Sequence, residues 1–327
     1  MVSHSRYTNI NGITCYMNSI LHILYQTPGF IKFILDNKYQ KKKDTVNNCY
    51  ELFTITKNNN GSMIEPLLFR KQLGCINKLW MENNQQDSSE FLNFIINEII
   101  KNVGKKVYLP HYDKYNDDIP IIKMLYDLIC ESKILHFKQT EFSELSNMFN
   151  SYNKKIIRCG LCRTKSFVID PFIILSLGIP DDTENITLEN CLDEYYKSEE
   201  IEYNCSFCGL SKKSNSRTLI FETSDVLIFL LKRFNKEQKI KKNIKYPEEI
   251  DITKYITNTN NNNNNNNIYK LFAVNIHNGT DMNYGHYTSY IKNLDNNKWY
   301  NYNDEHVSSI NDFYSQDAYI LFYNRTK

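Results

Sequence analysis

The sequence predicts an α+β fold, with helices first and strands later rather than the two in alternation. Two observations predict it. Apolar residues recur at helical spacing in the first hundred residues, and from about residue 137 the texture changes to segments rich in Phe, Val, Ile and Tyr. The 327 residues show no internal repeat and suffice for one large domain with a sizeable core.

The first helix is expected from about Thr14 to Leu24, where Tyr16, Met17, Ile20, Leu21, Ile23 and Leu24 form an apolar stripe and Thr14 can cap the start. Pro28 and Gly29 punctuate, and a second apolar stretch runs from Phe30 to Leu35. The basic run Lys41 to Lys43 reads as a solvated surface. Asp87-Ser88-Ser89-Glu90 has the pattern of a capping box and opens a helix through Ile100. Residues 101 to 120 mix Lys, Asp, Tyr and Pro and read as a loop. Strands are expected at Ser166 to Ser176, Leu219 to Phe234, Tyr269 to Ile276, His286 to Ile291 and Ala318 to Tyr323. Eight consecutive asparagines, Asn260 to Asn267, lie between two of these and predict a disordered surface loop over 258–267. The 44 asparagines and near absence of alanine read as mutational bias.

Thirty-nine Lys and Arg against 37 Asp and Glu leave a net charge of +2, which argues against a protein built to grip nucleic acid or anionic membrane. No apolar run approaches the roughly 20 residues of a membrane span. The opening MVSHSRYTNINGITCY lacks a signal-peptide apolar core, so a cytoplasmic or nuclear location is expected.

The nine cysteines fit a reducing compartment, being odd in number with four in two C-x-x-C pairs. Cys159-Gly-Leu-Cys162 and Cys205-Ser-Phe-Cys208 stand 42 residues apart. Two such knuckles supply the four soft thiolates of a tetrahedral zinc site, and a closed set of four predicts a structural metal rather than a catalytic one. The bland alternative is four unrelated buried thiols. Cys49, Cys75, Cys130 and Cys191 read as core or neutral thiols.

Cys15 follows Asn11-Gly12-Ile13-Thr14 and opens the first helix, where exposed N–H groups and the helix dipole favour a thiolate. A buried helix cysteine explains the same residues. A thiolate nucleophile needs an imidazole base. His22 lies about 10 Å further along the same helix, too far for a hydrogen bond. His286, in Tyr284-Gly285-His286-Tyr287, sits at the start of a strand that would hold the ring, and His277 is a rival. Trp299-Tyr-Asn-Tyr-Asn303-Asp304 should return beside the His286 strand, so Asn303 or Asp304 can reach the imidazole. Turn chemistry accounts for both residues equally well.

Together these boxes resemble the ubiquitin-specific proteases, papain-like cysteine deubiquitinases shaped as a right hand of thumb, palm and fingers. The resemblance rests on Gly12-Ile-Thr-Cys15-Tyr-Met-Asn-Ser19, Gln85-Gln86-Asp87-Ser-Ser-Glu90-Phe-Leu92, the two knuckles, Leu231-Lys-Arg-Phe234, the His277 to Tyr287 segment, Trp299 to Asp304 and Asp317 to Tyr323, in order from about 9 to 323. It implies one catalytic domain, 1–327, with a helical thumb (about 1–135), zinc-bearing fingers (about 136–225) and a β palm (about 226–327). It implies Cys15 as nucleophile, His286 as base and Asn303 as the orienting residue, with Asp304 the second candidate. Gln86, Asp87, Glu90, His277, Tyr284 and Gly285 would line the channel for the ubiquitin tail, whose arginines suit carboxylates. Cys159, Cys162, Cys205 and Cys208 would bind structural zinc, with no organic cofactor. Ubiquitin, ubiquitinated proteins or polyubiquitin chains are the implied partners of a monomer, with no nucleic acid or membrane.

Three departures stand out. Ile10 occupies the position where members usually carry an oxyanion-stabilising Asn, and losing such a donor costs on the order of 10²-fold in rate. Backbone N–H groups near Cys15, or a shifted Asn11, are the candidates to replace it. His22 stands where Gln is usual, and the asparagine run lengthens a palm connection. Two alternatives follow: a catalytically weak or inactive ubiquitin-binding relative, and a protease for another ubiquitin-like modifier.

Overall fold

The computed structural model describes residues 4–36, 45–59, 61–104, 143–181, 185–234, 238–257, 267–280 and 284–326. Cys130, the basic run at 41–43, most of the 101–120 segment and the 258–267 loop apart from Asn267 lie outside the described residues.

A helical part comes first. Helix α1 (Cys15–Gln26) is followed by α2 (Phe30–Asp36), α3 (Thr45–Asn58), α4 (Leu67–Ile76) and α5 (Ser88–Val103), with α6 (Glu144–Phe149) at its end. Helix α1 is buried on every side from Cys15 to Tyr25, as expected of a helix driven through the centre of a core. Ile20, Leu21, Ile23 and Leu24 are each sealed from water, at about 1.5–3 kcal/mol per side chain. They pack with Trp80, Phe91, Ile95 and Ile99 on one side and Tyr287, Ile291 and Tyr302 on the other. Strands β1 (Arg6–Tyr7) and β2 (Met63–Ile64) pair in parallel and tie the N-terminal segment to the helices.

Two sheets follow. The small one has the order β4-β3-β8-β7, from β3 (Ser151–Arg158), β4 (Lys165–Phe172), β7 (Glu199–Asn204) and β8 (Ser211–Glu222). The large one runs β15-β14-β13-β12-β16-β9-β5, with β11 paired to β12. Its members are β5 (Ile174–Leu177), β9 (Val226–Leu231), β11 (Glu249–Asp251), β12 (Ile268–Gly279), β13 (Gly285–Lys292), β14 (Trp299–Asn303), β15 (His306–Ile310) and β16 (Ala318–Arg325). A short parallel pair, β6 (Ile186–Thr187) and β10 (Ile244–Lys245), accompanies helix α7 (Leu188–Tyr195). The helical part covers one face of the large sheet, and a second cluster around Leu192, Phe229, Tyr269 and Leu321 fills the other.

The segment expected as one strand, Leu219 to Phe234, is two strands in different sheets. Ser224 makes the break. Its hydroxyl donates to the Val226 carbonyl at 2.7 Å and lies 2.8 Å from Ser151 Oγ, while Tyr269 donates to its carbonyl. These side-chain bonds replace the ladder where the chain crosses between sheets.

Candidate active site

The nucleophile candidate begins α1, and local chemistry leaves that terminus open. Thr14 precedes Cys15 but does not cap the helix. Its hydroxyl accepts from the Ile10 N–H at 2.9 Å, and its own N–H donates to Asn9 Oδ1 at 2.8 Å. The expected Thr14 cap is therefore corrected: the tight turn before the helix, with Asn11 at φ +53° and Gly12 at φ +72°, uses the hydroxyl instead. No side chain caps α1, so its first N–H groups stay available at the positive end of the helix dipole.

His286 stands on β13 opposite Asn278 of β12. The returning strand β14 pairs Ser289 with Tyr302 and Lys292 with Trp299, as the polar 292–298 stretch predicts. That register brings Asn303 Oδ1 to 2.7 Å from His286 Nε2. The imidazole also interacts with the Cys15 sulfur, and this interaction is the main reason its pKa rises to about 9, against the opposing effect of partial burial. With Nε2 held by Asn303, Nδ1 is the nitrogen left for sulfur.

Asp304 turns the chain from β14 to β15 at φ +47° and is buried. Its Oδ1 accepts from Asn18 at 2.8 Å, and its Oδ2 accepts from Asn9 at 2.9 Å and lies 3.6 Å from His286 Nε2. Burial raises its pKa. Turn chemistry and proximity to the ring thus coincide in one residue. Asn9, overlooked in the sequence, bridges Thr14 and Asp304, whereas Ile10 is buried and Asn11 exposed.

A groove of about 740 Å³ lies beside this pair, lined by Ile13, Glu82 to Asp87, Ser89, Glu90, Tyr284 and Tyr319. Asp87 shapes its floor. Oδ1 caps α5 by accepting from the N–H groups of Ser89 and Glu90, and Oδ2 accepts from Tyr319 at 2.7 Å and Tyr287 at 3.3 Å. Glu90 and Tyr284 are exposed and Gln86 half-buried. Gln85 Oε1 accepts from the Gly285 N–H at 3.1 Å, bridging the helical part and the sheet. His277 is 1% exposed and lies under the groove rather than along it. A side-chain carbon on Gly285 would come within 2.1 Å of its Nε2, which is why glycine stands there. His22 is a core residue between Tyr7 and Tyr302, and burial lowers its pKa to about 3.

At the far end of the small sheet the sulfurs of Cys159, Cys162, Cys205 and Cys208 lie within 4.8 Å of one another. Cys159 to Cys208 is 3.9 Å and Cys162 to Cys205 is 3.7 Å. A zinc ion with sulfur ligands at about 2.3 Å sets tetrahedral edges of about 3.8 Å, so the spacing fits that metal. Gly209, at φ +68°, closes the second knuckle.

Comparison with known proteins decides the family. The model described as ubiquitin carboxyl-terminal hydrolase matches residues 7–323. The chain belongs to the ubiquitin carboxyl-terminal hydrolase family. Ubiquitin carboxyl-terminal hydrolase 42 of Homo sapiens is 28% identical, over 96% of this chain and 22% of that protein. The human 17-like protein 11 is 29% identical, over 95% and 54%. Ubiquitin carboxyl-terminal hydrolase 4 of Eremothecium gossypii is 25% identical, over 96% and 42%. The chain thus spans from about a fifth to about half of these relatives. Its fold matches the SAGA Ubp8/Sgf11/Sus1/Sgf73 DUB module bound to ubiquitin aldehyde, with TM-score 0.72 at 25% identity over 99% of this chain and 70% of that one. The same module bound to monoubiquitin gives 0.70 at 25%, over 99% and 69%. The expected mixed fold and family are both borne out. Among the described residues no helix is long and apolar enough to cross a membrane.

Proposed function

We propose that this chain is the catalytic domain of a thiol-dependent deubiquitinase, hydrolysing the peptide or isopeptide bond after the terminal glycine of ubiquitin. One observation carries the reading: the Cys15 thiol and the His286 imidazole, from opposite ends of the chain, interact beside a carboxylate-lined groove. The family's name and the ubiquitin-bound neighbours support the same substrate.

Asn303 accepts from Nε2–H and so holds the ring with Nδ1 toward sulfur. Nδ1 takes the thiol proton, and the thiolate attacks the glycine carbonyl carbon. The N–H groups at the start of α1 meet the oxyanion. Collapse breaks the C–N bond, and His286 gives its proton to the departing amine. Neutral His286 then takes a proton from water, whose oxygen displaces the sulfur and frees the ubiquitin carboxylate. Glu82 and Glu90 face the basic tail, while Asp87, with both oxygens engaged, shapes the floor and adds charge. Asp304 adds a second negative charge near the imidazolium. Cys159, Cys162, Cys205 and Cys208 would hold a zinc ion that would stiffen the fingers cupping the globular part of ubiquitin.

The proton on the ring dictates a pH dependence. Because the His286 pKa is raised to about 9, the imidazolium persists through neutral pH and is lost above that value. Turnover is expected to decline as pH rises through about 9, read from a rate profile on a ubiquitin C-terminal fluorogenic substrate. A rate that keeps climbing well beyond that value would contradict the assignment of His286 as proton donor.

A weakly active relative is the second reading, favoured by the buried Ile10 and the committed amide of Asn9. Electrophilic probes built on ubiquitin and on other ubiquitin-like modifiers separate the readings. Labelling of Cys15 by the ubiquitin probe is expected. Labelling only by another modifier would change the substrate class, and no labelling would leave a binding module.

A further inference from the structure

We propose that Lys239 is a positioning residue for His286, acting through the end of strand β12; the inference rests on the pairing of His286 with Cys15 described above. Strand β12 outruns its neighbour. Ile276 pairs with Ala318, the first residue of β16, and the His277 N–H reaches the Asp317 carbonyl. Beyond that point β12 continues to Gly279 with β13 as its strand partner, through His277–Tyr287, Asn278–His286 and Gly279–Gly285. In a pleated strand alternate residues turn their carbonyls to the same edge. The carbonyls of His277 and Gly279 therefore emerge where β16 has ended.

Lys239 replaces the missing strand. Its side chain is fully buried, and its ammonium donates to the His277 carbonyl at 2.5 Å, the Gly279 carbonyl at 3.2 Å and Asp317 Oδ1 at 2.8 Å. A lysine ammonium has three protons, and all three have acceptors here. The backbone at Lys239 is itself fixed: it bridges to Phe234, and the next residue, Ile240, donates to the Arg233 carbonyl. Arg233, also buried, in turn donates to the carbonyls of Ala318 and Lys242. The hold passes directly to the ribbon that carries His286, because the His277 ring packs against Gly285 and Tyr287. An ammonium tripod thus sets where Asn278 lies and, across the pair, where the imidazole meets sulfur.

The test compares the wild-type chain with Lys239→Met and Lys239→Arg. Two readouts are taken well below each variant's Tm: kcat and KM on a ubiquitin C-terminal fluorogenic substrate, and the rate of Cys15 alkylation by iodoacetamide, read by mass spectrometry of its peptide. For Lys239→Met, kcat and the alkylation rate are each expected to fall on the order of tenfold, with KM within about twofold, since small misplacement of a catalytic group is costly. Arginine is not expected to rescue, its planar fork being unable to form the tripod. Ile250→Ala, in β11 and remote from the clamp, serves as a control for lost stability and is expected to keep wild-type kcat. Should Lys239→Met fail to fold, Asp317→Asn keeps the lysine but removes the charge on one acceptor, and a smaller fall in the same two rates is expected. Wild-type kcat and alkylation in Lys239→Met, or in Asp317→Asn where only that variant folds, would overturn the inference. So would an equal kcat loss in Ile250→Ala. If the wild type cleaves no ubiquitin substrate yet its alkylation rate still falls in Lys239→Met, the substrate reading fails and the positioning role stands.

Discussion

Replacing Cys15 with alanine is expected to cut turnover of a ubiquitin C-terminal fluorogenic substrate by on the order of 10⁴- to 10⁶-fold while leaving ubiquitin affinity intact. The size follows from the division of labour at the site. The groove is walled by Ile13, the 82–90 segment, Tyr284 and Tyr319, none of which depends on sulfur for its position. Asp87 is fixed by its helix cap and two tyrosines, and Asn303 by the β14–β15 pairing. Alanine favours helix, so the start of α1 should persist. What disappears is the atom proposed to form the acyl intermediate, and with it the interaction that raises the His286 pKa. Titration calorimetry with ubiquitin and a rate measurement on the same preparation check both halves. Turnover near the wild-type rate would remove Cys15 as nucleophile, and lost affinity would show that the substitution had disturbed the groove itself.

How far the sequence reveals this site depends on the range of the interaction. Cys15, the Asp87 cap and the β13–β14 hairpin are encoded within a few residues, and each is legible from spacing and turn chemistry. Helix α3 is not. Val46, Cys49, Leu52 and Phe53 do supply a buried face, but Asn47, Asn48 and Thr54 to Lys57 dilute it below recognition. Helix α4 hides for a related reason, since buried Arg70 occupies its core face, where it donates to the carbonyls of Trp80 and of Glu82, the latter a residue of the groove wall. The crossing at Ser224 falls in a polar interruption, Glu222-Thr-Ser-Asp225, that a single long strand reads through; buried side-chain bonds to distant serine and tyrosine make the break. The roles of Asn9, Gln85 and Lys239 likewise exist only once far segments meet. His277 and His286 look equivalent on the page. Burial beneath Gly285 separates them, and burial of that kind is a property of the assembled sheet.

Replacing Cys205 with serine is expected to abolish stoichiometric zinc and disorder the outer half of the small sheet. The physical reason lies in how little else holds that region. The cluster on this sheet contains just two buried side chains, Tyr152 and Ile169, with Phe167 and Phe221 packed beside them. At the knuckles, Leu161, Phe207 and Leu210 are exposed rather than packed inward. Strand pairing alone is marginal without an apolar face to bury. On the proposed zinc reading, the favourable energy at the tip comes from four thiolates on one ion, worth about 10–16 kcal/mol in isolated structural zinc sites before the cost of ordering the chain. Serine's harder oxygen is a poor substitute for that ligand. Elemental analysis should therefore find no bound zinc, and hydrogen exchange should accelerate across β7 and the knuckle-proximal part of β8. Cys15, His286 and Asn303 stand on α1, β13 and β14, outside this sheet, so kcat at saturating substrate should hold while KM rises. Full zinc content in the variant, or unchanged exchange after the metal is removed, would mean that something other than the thiolates orders the tip.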